Sequence, residues 1–92
     1  MKGKVLVRTY SAGVHFGTLA SRKGKEITLT NARRIWYWKG ANTLHEIALR
    51  GVSEGSKISG PVKSIILTEA IEILPLTAVA AKSLESAKWT GN

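Results

Sequence analysis

Apolar and polar residues alternate along the first third of the chain, as is typical of β-strands. Residues 4–10, KVLVRTY, form the first such segment, and the turn signal SAG separates it from a second, VHFGTLAS. The charged turn RKGKE at 22–26 lies between the second segment and a third, ITLT. Residues 14–30 are therefore predicted to form a β-hairpin.

The clearest helix signal lies in the middle of the chain. The segment ARRIWYWK continues the third strand after a bend predicted at Asn31, and GANTLHEIALRG follows it. Thr43 and Glu46 have the spacing of a capping box, in which each side chain satisfies the other residue's free backbone N–H. Gly51 stands where a left-handed C-cap belongs. We predict a short helix whose buried stripe consists of Leu44, Ile47 and Ala48.

The second half of the chain begins with a Gly/Ser-rich loop at 53–61, which we expect to be flexible. The next segment, VKSIILT, is predicted to be a buried strand. Residues 68–74 are ambiguous, because their apolar spacing also fits a helix. The alternation of Ile71 and Ile73 around a glutamate, and the stop at Pro75, favour an edge strand.

A C-terminal helix is predicted over AVAAKSLESAK, with Thr77 as its cap and Trp89 folding back as an anchor. Its buried side consists of Ala80, Ala81, Leu84 and the stem of Lys88. This order of elements predicts an α+β fold, a mostly antiparallel β-sheet with one short central helix and a C-terminal helix. The 92 residues, 1–92, are expected to form a single domain.

Composition narrows the classes of protein. The chain has no cysteine, which excludes a disulfide framework and a thiolate metal site. A core this small favours self-association, so we expect a homo-oligomer. No apolar segment approaches the length of a membrane span, and Arg8 interrupts the N-terminal apolar run. We therefore expect a cytoplasmic protein that does not bind a membrane.

The charge is unevenly distributed. Fourteen Lys and Arg residues stand against six acidic residues, all Glu, which gives a net charge of +8. Residues 1–50 hold ten of the basic and two of the acidic side chains, whereas residues 51–92 hold four of each. A basic half favours an anionic partner such as a nucleotide, nucleic acid or acidic protein surface. The alternative is that the charge serves solubility alone.

The segment RRIWYWK, residues 33–39, is the main candidate for a binding surface. Strand alternation places Arg34, Trp36 and Trp38 on one face, so an arginine is aligned with two aromatic rings. Such a set can stack on a nucleobase while the guanidinium binds phosphate. The alternative for the tryptophans is a place in the core. The candidate ligand-binding residues are Arg8, His15, Arg33, Arg34, Trp36, Tyr37, Trp38, Lys39 and Lys57, the last because its loop could act as a lid.

Catalysis has no positive support in the sequence. The two histidines, His15 and His45, lie in different elements, and no nucleophile or phosphate-loop motif is present. Glu69 and Glu72 share a face only if their segment is helical, and solvated charges are then the simpler interpretation. We therefore expect a protein that is not an enzyme and has no metal or cofactor.

Two stretches together resemble a known family. LTNARRIWYWKGANTLHEIALRGV at 29–52 and ILTEAIEILPLT at 66–77 are similar to a small uncharacterised family encoded by tailed bacteriophages and prophages. The resemblance covers nearly the whole chain. It implies a phage gene product with no established activity, placed in the host cytoplasm, and it assigns no functional residues. Small phage accessory proteins often act by binding a host component.

Three hypotheses follow for the function. The first is a non-enzymatic phage protein that sequesters a nucleotide signal of host anti-phage defence. The second is a DNA- or RNA-binding module, whose affinity would depend steeply on salt. The third is a basic inhibitor of a host protein, which the sequence does not separate from the first.

Overall fold

A computed structural model describes residues 3–87, so Lys88 and the predicted anchor Trp89 lie outside the described residues. The α+β prediction is confirmed, since the described part of the chain has one antiparallel β-sheet and two helices. The elements are β1 Lys4–Thr9, β2 Val14–Lys23, β3 Glu26–Tyr37, α1 Leu44–Arg50, β4 Lys57–Ile58, β5 Val62–Leu67, β6 Ala70–Pro75 and α2 Ala78–Glu85.

The sheet has the strand order β4-β3-β2-β1-β6, and β5 pairs with β3 as well. The predicted hairpin is confirmed, because β2 and β3 pair from Val14 opposite Ile35 to Lys23 opposite Glu26. The other side of the long β3 is shared by two strands. β5 pairs with its first half and β4 with its end.

The predicted bend in β3 is confirmed at Asn31, which has a φ of 51°. The pairing passes from Phe16 opposite Arg33 to Thr18 opposite Thr30, so β3 contains an extra residue at this point. Asparagine tolerates the left-handed region better than most residues. A bulge of this kind bends a strand and increases its twist, which helps the sheet to curl.

The sheet buries a separate hydrophobic cluster on each face. One cluster contains residues of β3 and β5 together with residues of β1 and β6. Because β2 lies between these two pairs of strands, the sheet must curl for the cluster to form. We call this side of the sheet the inner face. The backbone N–H of Ala70 donates to the carbonyl of Lys25 at 3.0 Å, which holds the hairpin turn against β6. The opposite side, which we call the helix face, packs against α1 and α2. The buried residues of this second cluster, from the sheet and the helices together, are Leu6, Phe16, Ile35, Ile47, Ala48, Ile58 and Leu84.

The capping of α1 differs in one bond from the prediction. Thr43 Oγ1 accepts from the N–H of Glu46 at 3.2 Å, as expected. The Glu46 carboxylate accepts from the N–H of Asn42 at 2.9 Å, one residue before the cap itself. Gly51 has a φ of 85° and donates its N–H to the carbonyl of Ile47, so the predicted glycine C-cap is confirmed.

One prediction for the second half of the chain, the burial of β5, was wrong. β6 is confirmed as an edge strand that ends at Pro75 and pairs with β1. β5 is also a strand, but the prediction that it is buried was wrong. Its position beside β3 alone leaves Val62 48% and Ile66 60% exposed, and the residue of β5 that is fully buried is Leu67. Within the loop at 53–61, two residues form β4, and the flexibility of this loop stays a prediction.

Thr77 ties the two helices together and provides a first test of the fold. Its Oγ1 accepts from the N–H of Ala80 at 3.1 Å and donates to the carbonyl of Leu49 at 2.8 Å. We expect Thr77→Ala to lower the free energy of unfolding by about 1–2 kcal/mol, because both bonds are lost. Urea denaturation measures this, with the exposed Thr68→Ala as the matched control. An equal loss in both variants would contradict the capping role.

Neither helix within residues 3–87 has the length and apolar character that crossing a bilayer requires.

Candidate ligand-binding surface

The two adjacent arginines of β3 have opposite surroundings. Arg33 lies on the helix face, where it is buried and its carbon Cζ is 5.9 Å from the centre of the Phe16 ring. Its guanidinium donates to the backbone carbonyls of Ser59, Leu84, Glu85 and Ala87, at 2.7 to 3.3 Å. The nitrogens of Arg33 are thus bound to the loop before β5 and to the end of α2. The structure does not bring Arg33 to the side of the sheet where Arg34 lies.

Arg34 and His15 form a pair on the inner face. They are opposite each other in the β2–β3 pairing, and Arg34 Nε donates to His15 Nε2 at 3.1 Å. The His15 side chain is 2% exposed, whereas Arg34 is exposed. Burial, together with the positive charge of Arg34, lowers the pKa of His15 from 6.5 to about 4. The imidazole is therefore neutral at pH 7 and acts as the acceptor of this bond.

The proton of the neutral imidazole has no acceptor in the described part of the chain. Because His15 Nε2 accepts from Arg34, the single ring proton resides on Nδ1. That nitrogen is buried and makes no hydrogen bond with any described residue. A buried donor without an acceptor costs about 1–3 kcal/mol. The His15–Arg34 pair therefore includes a buried donor that no described residue satisfies.

A cavity of about 370 Å³ lies beside this pair, between β3, β5 and the segment that joins β4 to β5. Ser59 fixes that segment to β3, because its hydroxyl accepts from the N–H of Arg34 at 2.9 Å and donates to the carbonyl of Gly60. Apart from Arg34 and His15, the lining is largely apolar. The lining residues are His15, Ala32, Arg34, Ser59, Gly60, Pro61, Val62 and Ile65.

Aromatic rings and a lysine meet at the end of β3. Trp36 is 50% and Tyr37 is 45% exposed. Lys57 lies opposite Tyr37 in the β3–β4 pairing. Its Nζ is 5.1 Å from the centre of the Trp36 ring and 5.8 Å from that of Tyr37. These distances fit cation–π contacts, and the arrangement leaves both ring systems with exposed surface.

The other predicted residues lie elsewhere. Trp38 was predicted on the same face as Arg34 and Trp36, but β3 ends at Tyr37 and Trp38 is half-buried against the helix-face cluster. Lys39 is exposed, and its backbone N–H donates to Ser56 Oγ. Arg8 lies beside Glu72, with 3.8 Å between Nη1 and Oε1. Arg8 and Trp38 instead line a separate cavity near the start of α1.

A family model described as a domain of unknown function, DUF6948, matches residues 2–84, which is most of the chain. The chain belongs to the DUF6948 family. Comparison with functionally curated proteins and with solved structures finds no match. The family assignment thus carries no activity, and the function of this DUF6948 chain has to be argued from its own surface.

Part of the site in this DUF6948 chain was missed by the sequence analysis. Ala32, Val62 and Ile65 form cavity walls, and the candidate list contains none of them. Ala32 and Val62 are paired between β3 and β5, a contact over thirty positions of sequence. The pattern SGP before β5 indicates a turn, but it does not indicate which strand the turn faces. Within residues 3–87 no group of three His or Glu side chains is arranged to hold a metal ion.

Proposed function

We propose that this DUF6948 chain binds an anionic nucleotide-type ligand without changing it chemically. A base stacks on Trp36 or Tyr37, and the phosphate is bound by Arg34 with help from Lys57. The observation that supports this proposal best is the meeting of two exposed rings and the Lys57 ammonium group at the end of β3, two residues from an exposed arginine.

The charges near this surface favour an anion. Arg34 makes no ion pair with any described residue, and its terminal nitrogens Nη1 and Nη2 make no hydrogen bond there. A guanidinium group with unused nitrogens can bind phosphate oxygens in a bidentate manner. Stacking on an exposed ring contributes roughly 1–3 kcal/mol per base. The net charge of +8 would also increase the rate at which an anionic ligand arrives.

The biological form of the proposal is a phage accessory protein in the host cytoplasm. It would sequester a nucleotide signal of anti-phage defence and so prevent the signal from acting. The sequence resemblance to phage and prophage proteins supports this context. Assembly into a homo-oligomer is part of the proposal, because a core this small favours self-association.

A DNA- or RNA-binding module is the second candidate, and the hairpin turn favours it. Arg22, Lys23 and Lys25 are exposed there, and none of them forms an ion pair within residues 3–87. Such a turn could contact a phosphate backbone. α1, with seven residues, is short for insertion into a groove. We therefore rank this candidate below a small nucleotide, and a basic inhibitor of a host protein remains the third.

Trp36→Ala provides the test of the proposed function. We expect it to weaken binding of the nucleotide that the wild type prefers by about 5- to 100-fold, because one stacking contact is lost. The measurement is native mass spectrometry with a panel of cyclic and linear nucleotides, followed by calorimetry. Tyr10→Ala is the matched control, since Tyr10 is an exposed aromatic residue that follows β1, two strands away from β3.

Three results would contradict the proposal. A ligand recovered in chemically altered form would indicate an enzyme. Binding of a short oligonucleotide alone, with log affinity falling steeply against log salt, would indicate a nucleic-acid module. Equal affinities of Trp36→Ala and Tyr10→Ala for the nucleotide would exclude stacking at the end of β3.

A further inference from the structure

Arg34 differs from the other arginines whose partners the structure describes. Arg8 and Arg50 lie beside the carboxylates of Glu72 and Glu46, which offset their positive charge. Arg33 donates to four backbone carbonyls, and Arg22 donates to one, that of Gly24. The partner of Arg34 is a neutral imidazole, which orients the guanidinium through Nε and leaves its charge unopposed.

The orientation of Arg34 is defined from two sides. Its Nε donates to His15, and its backbone is bonded in both directions to Ser59, through N–H to the Ser59 hydroxyl and through the carbonyl to the Ser59 N–H. With Nε occupied, the nitrogens that remain for a ligand are Nη1 and Nη2. A planar pair of donors of this kind matches two oxygens of one phosphate or carboxylate.

The neighbouring walls strengthen an interaction with an anion. Ala32, Pro61, Val62 and Ile65 line the cavity beside Arg34 and His15. Apolar walls lower the local dielectric constant on their side of the guanidinium, so a charge–charge contact is stronger beside them than on a fully open surface. A volume of about 370 Å³ lies at the lower end of the range for small-molecule sites. This volume suits one nucleotide unit.

We propose that the cavity lined by Arg34, His15, Val62 and Ile65 is the phosphate-binding pocket of this protein, and that it takes the phosphate and attached sugar of a single nucleotide unit. Arg34 binds the phosphate oxygens, and His15 is a positioning residue that acts through Arg34. The identification of the anion as phosphate rests on the proposed function. The pocket itself rests on the geometry of β3, β5 and the segment between β4 and β5.

Filling the cavity tests this proposal directly. Val62 is half-exposed on the edge strand and lines the cavity, so Val62→Trp adds bulk there without disturbing the buried cores. We expect it to weaken binding of inorganic phosphate and of adenosine 5′-monophosphate by at least about tenfold in calorimetric titrations. Ile66→Trp is the matched control, because Ile66 is exposed on the same strand but does not line the cavity.

The outcomes separate the pocket from the proposed function. Loss of phosphate binding in Val62→Trp but not in Ile66→Trp supports the pocket. Unchanged binding in Val62→Trp, or an equal loss in both variants, overturns it. If nucleotide binding requires Trp36 but is insensitive to Val62→Trp, the pocket is wrong and the proposed function stands. If phosphate binding depends on Val62 while no nucleotide binding depends on Trp36, the pocket stands alone.

The role of His15 is tested by two variants that differ in one property. His15→Gln retains a side-chain acceptor for Arg34 Nε, whereas His15→Phe has the size of a ring but no acceptor. We expect His15→Phe to weaken phosphate binding by about tenfold and His15→Gln to restore at least half of the loss in free energy. Equal binding by the two variants, each confirmed as folded by circular dichroism, would show that His15 does not position Arg34.

Discussion

Replacing Arg33 by methionine is expected to lower the free energy of unfolding by about 3–5 kcal/mol. The buried guanidinium donates to four backbone carbonyls, and two of these, of Leu84 and Glu85, belong to the last turn of α2. The final carbonyls of a helix have no partner within the helix, so Arg33 acts as a side-chain cap for α2. Methionine fills much of the volume but removes the guanidinium donors from the carbonyls of Ser59, Glu85 and Ala87, whereas that of Leu84 keeps the N–H of Ala87.

The effect of Arg33→Met on the free energy of unfolding depends on how many carbonyl acceptors lose their donor. Burial lowers the pKa of Arg33, and the Glu85 carboxylate opposes this effect, so the charge itself is held against a desolvation penalty. An apolar substitute would remove that penalty, and replacement of buried charges can be neutral for this reason. Here the partners are backbone groups that remain after the substitution. We therefore expect a net loss of stability.

Arg34→Met is the matched control for Arg33→Met. Arg34 is the next residue, is exposed, and makes one side-chain hydrogen bond, to His15, within the described part of the chain. We expect its replacement to lower the free energy of unfolding by less, about 1–2 kcal/mol, because one buried acceptor, His15 Nε2, loses its donor. Urea denaturation at neutral pH measures both variants. Similar losses in the two, or a loss below about 1 kcal/mol in Arg33→Met, would contradict the capping role of Arg33.

The same pair of arginines shows the limit of the sequence analysis. Alternation along β3 correctly separated Arg33 from Arg34, because adjacent residues of a strand point to opposite faces. It did not indicate which face the helices cover. That depends on the docking of α2, whose carbonyls are about fifty residues away in the sequence, and no local pattern reports such a contact.

Local signals predicted the elements well. The hairpin, the glycine C-cap at Gly51, the Thr77 cap and the edge strand β6 all depend on residues close to one another in the sequence, and all are confirmed. Apart from the capping bond of Glu46, two errors are of a different kind. The burial of β5 and the facing of Trp38 depend on which strands end where in the sheet, and β3 ends one residue before Trp38.

The candidate site was also predicted only in part, because strand pairings bring its residues together. Types of residue suited to anion binding could be listed from the sequence, and the structure places His15 beside Arg34, and Lys57 beside Trp36 and Tyr37. Their grouping follows from the β2–β3 and β3–β4 pairings. The apolar half of the cavity follows from the β3–β5 pairing, for which the sequence carries no separate signal.

Acidification is expected to destabilise the protein through His15, by about 3 kcal/mol between about pH 7 and pH 4. The pKa of His15 is about 4 in the folded chain and 6.5 for an ordinary histidine. The fold therefore favours the neutral imidazole. Its contribution to stability is complete above pH 6.5 and is lost as the pH falls from 6.5 towards 4, because the unfolded chain binds a proton that the folded chain does not.

The comparison of wild type with His15→Phe isolates this effect. Phenylalanine does not titrate, so the variant lacks this contribution and should lose less stability than the wild type between about pH 7 and pH 5. Urea denaturation across this range should show the wild type losing stability faster than the variant, with the two curves converging or crossing on acidification. Parallel curves would mean that His15 titrates normally in the folded chain. The imidazole would then be charged in mildly acidic conditions and could not serve as the neutral acceptor that leaves Arg34 with its full charge.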